Sequence, residues 1–479
     1  MVSKRLLYIG GLLCVLFSLQ GCSSFAQHYL DVEKNILAGD PERADQLVVE
    51  AKKDYGQRNR LLYLMDRGMT LHLAGRYQES NVFLEDADTL IEDFYTTRVR
   101  DEVSAFLFND TQLPYQGDPY EQVMVNVMKA INYAVLQDIP AALVEARRID
   151  HRLNLITDSV GKGEYQEDPF ARYLAGLLYE SSGDVNNAFI SYRKAEEGYR
   201  LAESWSQVVM PSMLSEDLLR TSKALGLTQE YQGYRQAYPD VSESGKSHEA
   251  MAQVVVLSFN GRGPTKQDVF LDVPISLDAL QLIALTKNGF GRSSRRTRGA
   301  DSILYGLQGD IVRVALPRVL QQPSSVSYSS LRVENEADSF HIDSQRMYDT
   351  HAAAKKNLDD EYSSLAIRAV ARAAMKMAAA VSIGYGARAA VNKKSQAVVG
   401  LAAATIAKIF AIATEEADIR TWRTLPGEIQ VARMWVPPGT YSLLVDSFDV
   451  QGQPLSKHVS QQVTLRSGET HFLTQRVLR

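Results

Sequence analysis

Ala38-Gly39-Asp40-Pro41-Glu42-Arg43-Ala44, Ala74-Gly75-Arg76-Tyr77-Gln78-Glu79-Ser80 and Ser182-Gly183-Asp184-Val185-Asn186-Asn187-Ala188 are one phrase written three times. Each places a glycine five residues ahead of a small side chain, and apolar residues at helical spacing flank each copy. Gln137-Asp138-Ile139-Pro140-Ala141-Ala142 is a fourth version without the glycine. Glycine takes the left-handed backbone conformation that closes a tight turn between helices. A small residue early in the second helix lets the two helices lie close together. The phrase therefore predicts antiparallel helix pairs from residue 28 to about 240.

These copies resemble tetratricopeptide repeats. The fullest is 169–200, with Gly176 and Tyr179 on the first helix, Gly183 at the turn, and Ala188, Tyr192 and Ala195 on the second. A copy at 61–92 carries Gly68, Leu71, Gly75, Tyr77 and Ala87, and one at about 123–154 carries Ala130, Tyr133, Ala142, Ala146 and Ile149. A partial copy near 28–55 keeps Gly39, Ala44, Val48 and Ala51. The spacing between copies is irregular, so the array is degenerate. The resemblance implies a concave groove faced by Met65, Met69, His72, Val127, Ile131, Phe170, Tyr173 and Glu180. Two readings stay open: a groove that binds a peptide or protein partner, or a groove filled by the chain itself. No recurrent Lys/Asn set of the kind that captures a C-terminal carboxylate is present.

Working outward to the N-terminus, Lys4 and Arg5 precede the apolar run Leu6 to Leu19, which reads as a secretory signal peptide. Leu19-Gln20-Gly21-Cys22 follows and resembles the lipobox of bacterial lipoproteins. That resemblance implies removal of residues 1–21, lipidation of Cys22 and, with Ser23 and Ser24 next, sorting to the outer membrane on its periplasmic face. The other cysteine, Cys14, leaves with the leader, so no thiol remains for a nucleophile, a disulfide or a cysteine-ligated metal. The formal charge of −5 becomes about −7 once Lys4 and Arg5 are lost, which offers no basic field for nucleic acid. A composition of 45% hydrophobic and 23% charged residues excludes wholesale disorder across the 479 residues.

After Pro239-Asp240-Val241-Ser242-Glu243-Ser244-Gly245 the pattern changes. Ala252 to Phe259, Val269 to Ile275, Ile311 to Leu316 and Ser327 to Val333 read as strands, and Leu277 to Thr286 as a short helix. Residues 344 to 391 read as one long helix, followed by a turn at Asn392-Lys393-Lys394 and a second helix from Gln396 to about Ala417. The facing positions of this hairpin are small, including Ala371, Ala373, Ala374, Ala378, Gly400 and Ala403. Such faces pack backbone to backbone, as membrane helices do. Arg368, Arg372, Lys376, Arg388 and Lys408 interrupt any run of 18 apolar residues. Glu428 to Met434, Tyr441 to Phe448, Val459 to Leu465 and Thr470 to Val477 then read as strands. The expected fold class is α+β and multidomain. Its parts are a signal peptide (1–21), a tetratricopeptide-like helical domain (22–240), an α+β segment (246–343), an Ala-rich helical hairpin (344–417) and C-terminal strands (418–479) that complete the sheet begun at 252.

Tests for chemistry return no catalytic residues, no metal ligands and no cofactor. Gly245-Lys246-Ser247 lacks the upstream glycine and strand of a phosphate-binding loop, and Gly384-Tyr385-Gly386-Ala387-Arg388-Ala389 lies in a helical run. No Gly-x-Ser-x-Gly elbow occurs, and the eight histidines are scattered. Two interaction surfaces survive. Arg292, Arg295, Arg296 and Arg298 crowd one loop, which is either a mobile solvated loop or a surface that touches phosphate-rich lipid heads or an acidic partner. Trp422 between Arg420 and Arg423 is either a recognition patch or a core plug.

The lipobox, the repeats, the Ala-rich hairpin and Thr421-Trp422-Arg423-Thr424-Leu425-Pro426-Gly427-Glu428-Ile429-Gln430-Val431-Ala432-Arg433 together resemble a family of proteobacterial outer-membrane lipoproteins. The resemblance implies a place in the envelope and no particular activity. The leading expectation is a non-enzymatic scaffold, lipid-anchored, with a protein partner in the periplasm and no nucleic acid. The alternatives are an oligomeric translocation or pore-associated component built on the small-residue hairpin, and a cell-wall enzyme with an unrecognised site.

Overall fold

The three glycines of the repeated phrase adopt the backbone that the turn demands, with φ of +73° at Gly39, +74° at Gly75 and +83° at Gly183. At the glycine-less fourth copy Gln137 takes the same place with φ of +61°. The next residue then starts a helix: Asp40, Asp138 and Asp184 each accept a hydrogen bond from the backbone N–H three residues on, at 3.0, 3.1 and 3.0 Å. The computed structural model describes residues 21–105, 110–160, 168–241, 250–276, 311–389, 416–455 and 459–477.

Helices α1 (Gly21–Leu37), α2 (Pro41–Glu50) and α3 (Lys52–Tyr55) lead into three antiparallel pairs. These are α4 (Arg60–Leu73) with α5 (Tyr77–Ala105), α6 (Pro119–Val135) with α7 (Ile139–Val160), and α8 (Pro169–Ser181) with α9 (Val185–Ala202). Two further helices, α10 (Ser212–Ala224) and α11 (Thr228–Ala237), close the array. The small residues sit where pairs touch: a side chain added at Gly68 would collide with Leu84, and one at Gly176 with the ring of Tyr192. Helices α4, α6 and α8 are buried over most of their circumference, which an amphipathic surface helix is not. Their second face is covered by strands.

Those strands form two stacked four-stranded sheets and a ribbon. The inner sheet runs β10 (Thr470–Val477), β1 (Ala252–Asn260), β7 (Glu428–Val436), β6 (Gln345–Asp349), with β1 parallel to β10 and antiparallel to β7. The outer sheet runs β5 (Ser339–Asp343), β4 (Tyr328–Glu334), β8 (Gly439–Phe448), β9 (Val459–Leu465). All nine residues of β1 are buried because both of its faces are covered. Val255, Leu257 and Phe259 join the core of the helical array, whereas Ala252, Val254 and Val256 pack with Leu331, Val333, Leu443 and Val445 of the outer sheet. The chain is thus an α+β protein with an N-terminal helical repeat region.

The ribbon pairs β2 (Thr265–Pro274) with β3 (Ile311–Leu320) and packs on helix α12 (Thr350–Ala389). Here the expected helical hairpin needs correction. Residues 345–349 are strand β6 rather than helix, because they pair with β7, and α12 begins only at Thr350, where the Asp349 carboxylate accepts the Ala352 N–H at 3.0 Å. The small residues Ala369, Ala371, Ala373 and Ala374 face Val312, Val314 and Leu316 of the ribbon. The turn at 392–394 and the second helix as far as residue 415 lie outside the described residues, as does the short helix expected at 277–286. No helix among the described residues is long and apolar enough to cross a membrane.

Candidate functional site: the filled groove

The eight residues expected to face the groove lie on three successive inner helices: Met65, Met69 and His72 on α4, Val127 and Ile131 on α6, and Phe170, Tyr173 and Glu180 on α8. The first seven are buried, and Glu180 is partly buried. What covers them is the inner sheet. The His72 ring lies 5.4 Å from that of Phe259, and the Phe170 ring 6.0 Å from that of Tyr348. Met65, Met69, Val127 and Ile131 share one apolar core with Val255, Leu257, Ile429, Val431 and Phe472. Of the two readings left open, the groove at these residues is filled by the chain itself and is not free for a partner. Burial holds His72 neutral, its pKa falling to about 4, while its Nδ1 bonds the Asn132 side chain at 2.6 Å.

Residues 421–427 run between the helical array and the inner sheet and are buried except at the partly buried Arg423. Trp422 is fully buried, so it plugs the core and is not a recognition patch. The flanking arginines tie the segment to helical-region loops and α1. Arg420 donates to Asn59 Oδ1 at 3.2 Å and to the Leu113 carbonyl at 3.0 Å, and its guanidinium lies 5.1 Å from the Tyr115 ring. Arg423 lies 4.9 Å from the Tyr29 ring and 3.4 Å from Glu33. Glycines let the crossing chains touch: a Cβ at Gly263 would stand 2.7 Å from the carbonyl oxygens of Arg423 and Leu425, and one at Gly427 2.5 Å from that of Arg262.

Two buried carboxylates receive this segment. Asp66 on α4 accepts the hydroxyls of Tyr29, Tyr55 and Thr424, each at 2.8 Å. Burial is the dominant influence and pushes its pKa up to about 6 against those three hydrogen bonds. Glu121 on α6 accepts the Trp422 backbone N–H at 2.7 Å, Thr421 Oγ1 at 3.0 Å and Tyr115 Oη at 2.5 Å. Burial raises its pKa to about 7, Asp118 adds to the rise, and Lys266 opposes it. Lys266, itself buried, is paired with Asp118 at 2.6 Å.

At the other end of the groove Arg433 of β7 reaches Asp217 of α10 at 2.5 Å and the Tyr173 hydroxyl at 3.1 Å. Glu180 lies 3.5 Å from Arg433 and pairs also with Arg220. Two guanidiniums therefore meet two carboxylates in the interior, the balance that buried charges require. Among the described residues no group of three His, Cys, Asp or Glu side chains is placed to hold a metal ion.

Asp66, Glu121 and Asp217 escaped the sequence reading, and Thr421, Thr424 and Arg433 were read only as part of a family motif, with no role in the site. The usable signal was a carboxylate set within an apolar helix, as in Leu64-Met65-Asp66. Arg292, Arg295, Arg296 and Arg298 lie outside the described residues. Cys22 falls in the first turn of α1, where only the backbone is described.

Comparison with solved structures finds chains of low identity. BtubC (BKLC) from P. vanneervenii aligns with 14% identity and a TM-score of 0.32, over 49% of this chain and 89% of that one. A Podosopora anserina chain of nearly identical TPR-like repeats aligns with 15% identity and a TM-score of 0.29, over 47% and 99%. No family model matches the chain, and neither does any curated protein.

Proposed function

We propose that the protein is a non-enzymatic lipoprotein of the outer membrane, anchored through Cys22 on its periplasmic face, that acts as a protein–protein interaction scaffold in envelope or surface-structure assembly. The leader and lipobox at 4–22 support the anchor. The helical repeats support the scaffold. The observation that carries the reading is the array of antiparallel helix pairs from α4 to α9, whose concave face is filled by the inner sheet and residues 421–427. Repeats used in this way form a rigid mount for the β part, and a periplasmic partner then meets surfaces that docking leaves open. Val82 on α5 and Val144 on α7 are 61% and 42% exposed on the outer helices and are natural places to look. Ala369, Ala371, Ala373 and Ala374 of α12 face the ribbon, so these four residues lend no support to the translocation alternative.

Two experiments test this reading. Replacing residues 1–22 by a secretory leader that is cleaved without lipidation should abolish lipid labelling and move the protein from the membrane to the soluble periplasmic fraction. Retention at the membrane would contradict the anchor. Photo-cross-linking in cells should give partner adducts from positions 82 or 144 and none from position 69. Adducts from position 69 would reopen the groove as the partner site.

A further inference from the structure

Asp66 and Glu121 are placed unlike the other charges of the interface. Arg433 is matched by Asp217, and Lys266 by Asp118, but the groups that touch Asp66 and Glu121 are neutral hydroxyls and backbone N–H groups. Both carboxylates sit on inner helices, and both are fully enclosed. Both are contacted by the same short segment, through Thr424 in one case and Thr421 with the Trp422 N–H in the other. The structure thus joins its helical and β parts across two acids that no contacting cation among the described residues neutralises.

We propose that docking of residues 418–427 into the groove is controlled by protons, tight when Asp66 and Glu121 are protonated and looser once they ionise. The inference rests on the observed docking and is independent of the scaffold reading. A hydroxyl can reverse its role, so a protonated Asp66 can donate to Tyr29 or Tyr55 while still accepting from Thr424. An ionised Asp66 keeps all three bonds but holds a charge away from water. Around it stand Tyr29 of α1, Tyr55 of α3, Thr424 and Arg423 of the docked segment, and His28, whose ring lies 5.8 Å from both tyrosine rings. Around Glu121 stand Asp118, Tyr115 and Tyr120, with Lys266 of β2 and, beyond it, Asp418.

Exposed carboxyls ionise near pH 4, whereas burial lifts Asp66 to about 6 and Glu121 to about 7. The docked state therefore binds more protons than the undocked one across this interval. Stability is fully present below about pH 4 and is lost as pH rises through 6 and 7. Between pH 5 and 8 the linkage weakens docking by roughly 10-fold through Asp66 and roughly 70-fold through Glu121. An envelope protein that meets the pH of the medium would carry this as a built-in sensor.

Hydrogen exchange of the 418–427 amides in the full chain, corrected for intrinsic rates, reads the opening equilibrium directly. Wild-type protection should fall several-hundred-fold from pH 5 to pH 8 by this linkage. In Asp66→Asn the fall should be about 10-fold smaller, because an amide can replace the carboxyl among reversible hydroxyls and does not titrate. All other ionisable groups are common to both proteins and cancel in the difference. An equal fall in wild type and Asp66→Asn would overturn the proposal. Should Asp66→Asn not fold, Thr424→Val serves instead. It removes a donor that favours the ionised form, so the fall should become steeper, and an unchanged fall would overturn the proposal equally.

Discussion

Gly263→Ala puts the docking of the two halves to a quantitative test. A Cβ at that position would lie 2.7 Å from the carbonyl oxygens of both Arg423 and Leu425, where ordinary contact begins at 3.4 Å. Backbone must therefore move by about 0.7 Å, the difference of those figures. The backbone in question is pinned: the Trp422 N–H to Glu121 at 2.7 Å, Thr424 to Asp66 at 2.8 Å, and the Leu425 carbonyl to Arg476 at 3.1 Å. Forcing one extra carbon into such a packed contact costs about 1–3 kcal/mol, and stretching one or two of these hydrogen bonds adds roughly 1 kcal/mol each. Opposing this, Gly→Ala stiffens the unfolded chain and gains about 0.4–1 kcal/mol where the native backbone permits alanine. Gly263 is not among the residues of positive φ, so this gain applies. The net expectation is a loss of about 1–4.5 kcal/mol, read as a lower midpoint in urea with unchanged slope. A midpoint equal to or above that of wild type would mean that residues 423–425 do not press on Gly263, and the reasoning would fail.

Two more perturbations probe separate joints. Arg433→Ala should cost about 3 kcal/mol, because it leaves Asp217 and Glu180 to share the single guanidinium of Arg220, and adding Asp217→Asn should recover a measurable part in the same denaturation assay. Ala371→Leu should destabilise by about 1–3 kcal/mol, since Ala371 is fully buried on α12 in the core shared with Val312 and Val314. A neutral result there would mean that the ribbon does not cover the helix.

Local structure was largely legible because local residues set it. The glycine phrases marked the helix turns, and nearly every expected strand returned within a few residues of its place. The exceptions are informative. Gln345 to Asp349 reads as the beginning of a helix on its own, and only pairing with β7, some 80 residues away, makes it a strand. Ser339 to Asp343 was not read as a strand at all, since it is a short edge with alternating exposure. The groove was the harder case. Met65, Met69, Val127, Ile131 and Phe170 are apolar in sequence whether a partner covers them or the chain itself does. The residues that cover them lie far along the chain, as Glu121 and Trp422 do, and no local pattern links them. Asp66 and Glu121 drew no assignment from the sequence, because the segment that encloses them lies some 300 residues or more away.

The central claim is that residues 418–427 fill the concave face of the repeats, and Trp422 reports on it. The chain has three tryptophans, Trp205, Trp422 and Trp435, so Trp205→Phe with Trp435→Phe leaves Trp422 as the single emitter. Acrylamide quenching of that emission, in the folded full chain at pH 5, is the measurement. The account predicts blue-shifted emission and almost no quenching, because the indole is fully buried between the inner helices and the inner sheet. Red-shifted emission quenched as readily as in the unfolded chain would show an empty groove and contradict it.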